Sequence, residues 1–112
     1  MSGAVDPVQS ALARLKEKYR ADLPQKIAKI AEQVAVFLGN PWEQERCFTT
    51  YRMTHSLAGS AGTYGFLEIG TVARGAEDLL KESVESKAPL NETRAAELNA
   101  ALRHLKELAA AC

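Results

Sequence analysis

The chain has 112 residues, with fourteen Lys and Arg against fourteen Asp and Glu, which is the size of one domain holding one ordinary core. Zero net charge excludes a general electrostatic draw to nucleic acid or anionic lipid, no apolar run reaches membrane-spanning length, and the N-terminus lacks the basic-then-apolar pattern of an export signal. Two cysteines, Cys47 and Cys112, lack CxxC spacing and read as free thiols, so the expectation is a cytoplasmic chain that binds neither nucleic acid nor membrane.

Asp6-Pro7 reads as an N-cap with proline at the first helical position, and Val8, Leu12, Leu15 and Tyr19 follow at helical spacing, predicting a helix over about 7–21. Asp22 and Pro24 accompany the next apolar series, Leu23, Ile27, Ile30, Val34 and Phe37. Because proline is tolerated only in the first turn of a helix, a separate helix is expected over about 23–38. Gly39-Asn40-Pro41 is the next break, and Asn40 with Glu43 resembles a capping box that starts a helix over about 41–64. Its inward side carries Cys47, Tyr51, Thr54, Leu57 or Ala58, Ala61 and Tyr64, and Gly65 caps its end.

Ile69, Ala73, Ala76, Leu80 and Val84 predict a helix over about 66–86, stopped by Lys87-Ala88-Pro89. Asn91 caps a last helix, over about 91–111, with Leu98, Leu102, Leu105, Leu108 and Cys112 along its inner side. No strand pattern or repeat occurs. Short connections between amphipathic helices favour antiparallel neighbours, so the expected fold is all-α: an antiparallel up-and-down four-helix bundle with an additional N-terminal helix covering one end.

The helix over 41–64 holds His55 and then Gly59, Gly62 and, at its end, Gly65. Each glycine inside a helix costs about 0.8–1 kcal/mol relative to alanine. His55 falls roughly 100° from the middle of the apolar stripe and should be exposed. Gly59 and Gly62 lie one and two turns on at nearly the same azimuth, with Arg52 and Phe48 on the preceding turns. The glycines thus clear space around the imidazole; alternatively they let two helices approach closely beside an ordinary surface histidine.

The segment THSLAGSAGTYG, residues 54–65, resembles the active segment of histidine-containing phosphotransfer (Hpt) domains. His55, Leu57, Gly59, Ser60, Ala61 and Gly65 stand where that pattern has them, and the helical order extends the resemblance over nearly the whole chain. One departure is Ala58, at the position where the pattern usually has lysine. The resemblance implies that Nε2 of His55 accepts a phosphoryl group from the aspartyl phosphate of a response-regulator receiver domain and passes it to another receiver. It implies docking on the surface of the His55 helix, around Phe48, Arg52, Ser56 and Gly59. It also implies that the divalent metal belongs to the receiver, with no cofactor bound by this chain. No Gly-rich nucleotide loop is present, so no kinase activity of its own is expected. Receivers, and a hybrid histidine kinase carrying one, are the expected partners of a monomer.

The surroundings of His55 are read in the same way. Arg52 offers a positive charge that Ala58 does not, or is a solvated surface arginine. Phe48 is a docking residue, or packs under the N-terminal helix, the default for a lone aromatic. Counting outward from the turn at Gly65 brings Glu77 to the height of His55, within roughly one turn. There it could accept a hydrogen bond from Nδ1–H, or simply pair with Lys81 four residues on. Trp42 reads as bundle-end packing, His104 as a surface residue and Cys47 as core. A helical adaptor, and a dimerisation and phosphoacceptor bundle derived from a histidine kinase, are the competing functions.

Overall fold

The computed structural model describes residues 6–39 and 41–112. Among these residues there are four helices and no strand: α1 (Pro7–Gly39), α2 (Gln44–Thr63), α3 (Leu67–Ser86) and α4 (Glu92–Ala111). Contacts of α1 with α2, α2 with α3, α3 with α4 and α4 with α1 close an up-and-down bundle.

α1 begins as its sequence predicts, with the Val8 N–H donating to Oδ1 of Asp6 at 2.8 Å and Pro7 as the first helical residue. It does not stop at residue 22. The helix runs through Pro24 to Gly39, so the helices expected over 7–21 and 23–38 are one helix of 33 residues and the additional N-terminal helix is not present. The cause is burial. Tyr19, Leu23, Ile27, Ile30, Val34 and Phe37 are all buried, and their spacing makes one unbroken stripe across the proline. Pro24 itself lies on the exposed face. A proline inside a helix costs about 3 kcal/mol, whereas burying each large apolar side chain around it contributes roughly 1.5–3 kcal/mol. With Tyr19, Leu23 and Ile27 all within a turn or so, the stripe outweighs the proline.

The continuity of α1 also changes the role of its first turns. Val8, Leu12 and Leu15, expected to face inward, are 66%, 57% and 49% exposed. α1 is about 50 Å long and the other helices about 30 Å, so its start runs beyond the bundle instead of folding over its end. The molecule accordingly measures 63 × 23 × 18 Å. The bundle is closed at that end by Tyr19, whose ring stacks on Tyr64 at 4.6 Å and on Phe66 at 5.8 Å. The Tyr19 hydroxyl and Oγ of Ser60 are 2.6 Å apart, and burial pushes the phenol above its ordinary pKa.

α2 begins at Gln44, three residues later than the sequence suggests. Glu43 is its N-cap with extended backbone and no side-chain capping bond; the capping role expected of Asn40 falls outside the described residues. Trp42 Nε1–H donates to Oγ of Ser83 at 3.0 Å, tying the chain just before α2 to the end of α3. Cys47, one turn into α2, is buried, and desolvation raises its thiol pKa.

The α2–α3 connection sets the geometry of the site. Gly65, with φ +86°, takes the left-handed position after α2, where a side chain would be strained. Phe66 N–H donates to the Ala61 carbonyl at 2.8 Å and Gly65 N–H to that of Gly62 at 3.1 Å, the paired bonds of a Schellman ending. α3 then returns close against α2: a Cβ on Gly70 would lie 3.4 Å from the Ala58 carbonyl oxygen and 3.4 Å from the Gly62 nitrogen. At the far end Asn91 caps α4, its Oδ1 accepting from the Arg94 N–H at 2.8 Å.

Pro24→Ala should raise the unfolding free energy by about 1–3 kcal/mol, less the entropy that proline removes from the unfolded chain. Urea denaturation measures it; an unchanged or lower stability would mean that α1 is broken at this point after all.

Candidate functional site

The site is assembled on α2 by the position of its buried stripe. Cys47, Thr50, Thr54, Leu57, Ala58 and Ala61 face the core, which turns His55, Ser56, Gly59 and Gly62 outward. Thr50 and Thr54 are buried without leaving an unpaired hydroxyl, because they donate to the Arg46 and Thr50 carbonyls at 2.8 and 2.9 Å.

His55 is 68% exposed at its side chain, whereas the side chain of Glu77, on α3, is only 12% exposed. Nδ1 of the imidazole lies 2.5 Å from Oε2 of the carboxylate. An ionised carboxylate is an acceptor only, so Nδ1 carries the proton and donates it. In the neutral ring this leaves the lone pair on Nε2, the nitrogen with no protein partner among the described residues. Lys81, the other partner considered for Glu77, is exposed and forms no ion pair among the described residues.

The glycines divide by what surrounds them. A Cβ at Gly59 or at Gly62 would meet nothing within 4 Å, so neither position is bare in order to admit another helix. They leave a low, open surface next to His55. The close helix approach belongs to Gly70 instead, a residue to which the sequence reading gave no role, although a glycine at an interior stripe position of α3 is its signal.

On the other side of His55, aromatic rings run along α2: Tyr51 lies 6.1 Å from the imidazole and Phe48 6.2 Å from Tyr51, centroid to centroid. Phe48 is 46% exposed, so the packed alternative for it does not hold. The Arg52 guanidinium stands 6.0 Å from the Phe48 ring and is exposed beside it. Ala58 is 2% exposed and faces α3, not the open surface. His104, on α4, is exposed.

Two further residues near the site were not apparent from the sequence: Lys26 and Lys29 of α1, which share a groove with Arg52 and Ser56. No pattern within α1 marks them, since their neighbourhood depends on how α1 and α2 are aligned. Among the described residues, no group of three or more His, Cys, Asp or Glu side chains gathers as metal ligands. Likewise, no helix among them is long and apolar enough to cross a membrane.

Comparison with known proteins agrees with this geometry. The family model described as the Hpt domain matches residues 14–110. No curated protein and no solved structure gives a significant match. A match over that span takes in α2, α3, nearly all of α4 and the whole bundled part of α1, and the chain belongs to the Hpt domain family.

Proposed function

We propose that this protein is a phosphorelay intermediate in which His55 takes a phosphoryl group from the aspartyl phosphate of one receiver domain and gives it to the aspartate of another. Membership in the Hpt family establishes histidine phosphotransfer in two-component signalling and receivers as its partners. The observation that supports His55 as the acceptor is its exposed ring with Nδ1 held by a largely buried carboxylate.

In the proposed step the lone pair of Nε2 attacks phosphorus, the bond from phosphorus to the receiver's carboxylate oxygen breaks, and that carboxylate keeps the electron pair. No proton need move. The ring becomes a phosphorylated imidazolium whose positive charge is shared with Glu77 through Nδ1–H, and reversal onto a second aspartate discharges it. The chain supplies a nucleophile fixed in tautomer and orientation. Divalent-metal chemistry is assigned to the receiver. A bundle that closes its own core with four helices argues for a monomer and against a two-helix dimerisation module. Arg52, exposed one turn before His55, is the nearest cation on α2 to a phosphoryl group there, while Phe48, Ser56 and Gly59 form the rest of the proposed docking surface.

His55→Gln should abolish acid-labile, base-stable labelling by phosphorylated receivers and leave stability within about 0.5 kcal/mol of wild type. Label that persists, or that maps to His104, would overturn the assignment.

Glu77→Ala should slow transfer by about tenfold without abolishing it, and Glu77→Gln, which keeps an acceptor oxygen, should lose less. Ring ¹⁵N shifts report the tautomer in the same variants. Wild-type rates and an unchanged tautomer in Glu77→Ala would leave the carboxylate without an orienting role.

Gly59→Gln should melt no lower than wild type, since its Cβ enters open space and a helix glycine is removed, yet it should transfer poorly by obstructing the receiver. Undiminished transfer would show that the open surface is not used in docking.

A further inference from the structure

α1 forms a groove with the stretch of α2 on either side of His55. Two hydrogen bonds align it with α2: Tyr19 with Ser60 at 2.6 Å, and Arg46 Nη1–H donating to Oε1 of Gln33 at 3.4 Å. Between those points the antiparallel helices bring Lys26 and Lys29 alongside the stretch of α2 that leads up to His55. The result is a groove of about 430 Å³, open to solvent, with Lys26, Lys29 and Arg52 on its walls, Ser56 at its edge and Ile30 and Met53 in its floor.

The charge of this groove is one-sided. Three cations line it and no carboxylate does, in a chain whose net charge is zero. The neighbouring hollow, towards the start of α2, is lined by Glu43 and Glu45 with Arg46, so the positive stretch is confined to the end nearer His55. Lys26 is partly fixed in place, its ammonium 4.8 Å from the centre of the Tyr19 ring. Arg52 and Ser56, which line the groove, lie three residues before and one after His55, so the groove runs along the turns of α2 that carry the histidine, while Glu77 holds the ring from α3.

We propose that this groove seats the acidic rim of the receiver's phosphorylation site and that Lys26 and Lys29 choose among receivers by charge, an inference that rests on the relay reading above. A site that carries an acyl phosphate and binds a divalent cation through carboxylates presents anionic groups around its opening. Two exposed lysines act on such a partner mainly through encounter and orientation, an effect that weakens as salt shortens the screening length. The apolar floor excludes water beneath the contact. His55 performs the chemistry; the α1 lysines determine which receiver reaches it.

The test separates docking from chemistry. Wild type, Lys26→Glu/Lys29→Glu and Lys26→Gln/Lys29→Gln are first phosphorylated with phosphoramidate, which needs no protein docking, and matched amounts of phosphoprotein are then offered to a panel of purified receiver domains. For the best acceptor, charge reversal should raise the receiver concentration giving half-maximal transfer by about tenfold or more, with the saturating rate within about twofold. The glutamine variant should lie between, and rising salt should slow wild type more than either variant. Equal half-saturation and equal salt dependence in all three proteins would overturn the groove's role, as would a loss confined to the saturating rate. The glutamine pair decides the question if the charge-reversed protein does not fold. Wild type that takes no label on His55, or passes none to any receiver, would instead overturn the relay reading and this inference with it.

Discussion

The close approach of α3 to α2 is the constraint on which the site depends. A Cβ on Gly70 would sit 3.4 Å from two backbone atoms of α2, so a larger side chain there would wedge the helices apart. Gly65 sets where α3 starts and Gly70 sets how near it comes. Together they determine the height and distance at which Glu77 meets His55. A carboxylate aimed at an imidazole from another helix needs both to hold within a few tenths of an ångström, because the strength of a hydrogen bond falls steeply with distance and angle. The turn at Gly65 and the helix contact at Gly70 therefore set the His55–Glu77 geometry from a distance.

Four glycines around one histidine thus do three different things. Gly65 provides a left-handed backbone and Gly70 a close approach, each a structural need that only the smallest residue meets without strain. Gly59 and Gly62 meet neither need. Alanine would fit at both and would favour the helix by about 0.8–1 kcal/mol each, so the fold alone does not account for them. In the proposed docking they leave a flat surface over which a partner's backbone can reach Nε2.

The two helices of the candidate site were legible in the sequence for a physical reason. A tight turn at a glycine leaves almost no freedom in the register of the hairpin, so counting outward from Gly65 was enough to bring Glu77 level with His55. Apolar periodicity likewise placed Leu57 or Ala58, and Ala61, in the core, and all three are buried. α1 was misread because a local rule was applied to a residue whose neighbours decide otherwise: Pro24 breaks an isolated helix, but not one pinned by Tyr19, Leu23 and Ile27. With the break went the idea of a helix folded over the bundle's end. Lys26 and Lys29 escaped notice because α1 and α2 meet through a longer connection, whose geometry no short motif reports. Phe48 was read as either docking or packed, and its 46% exposure settles it as open surface on the face it shares with His55.

Ala58 shows how these constraints bear on charge. The Hpt pattern usually has lysine there, but in this fold the residue is 2% exposed and its carbonyl faces Gly70 across the α2–α3 contact. A lysine at 58 would have to run its stem out past Gly59 to reach water. A phosphoryl group on His55 would bring an anionic charge beside the carboxylate that already holds the ring, so cations around the opening offset repulsion as an anionic partner approaches. With position 58 committed to packing, Arg52 and the α1 lysines are the cations placed to do this. Their location has a consequence that a lysine at position 58 would not have. A cation held against the phosphoryl group would favour the phosphorylated resting state, whereas cations on the wall of an open groove face the incoming protein. In the proposed docking they would act on the partner's encounter and orientation, ahead of the chemistry. In the proposed relay, cations so placed would favour the approach of an acidic partner more than they hold the phosphohistidine, which suits an intermediate that both receives and donates.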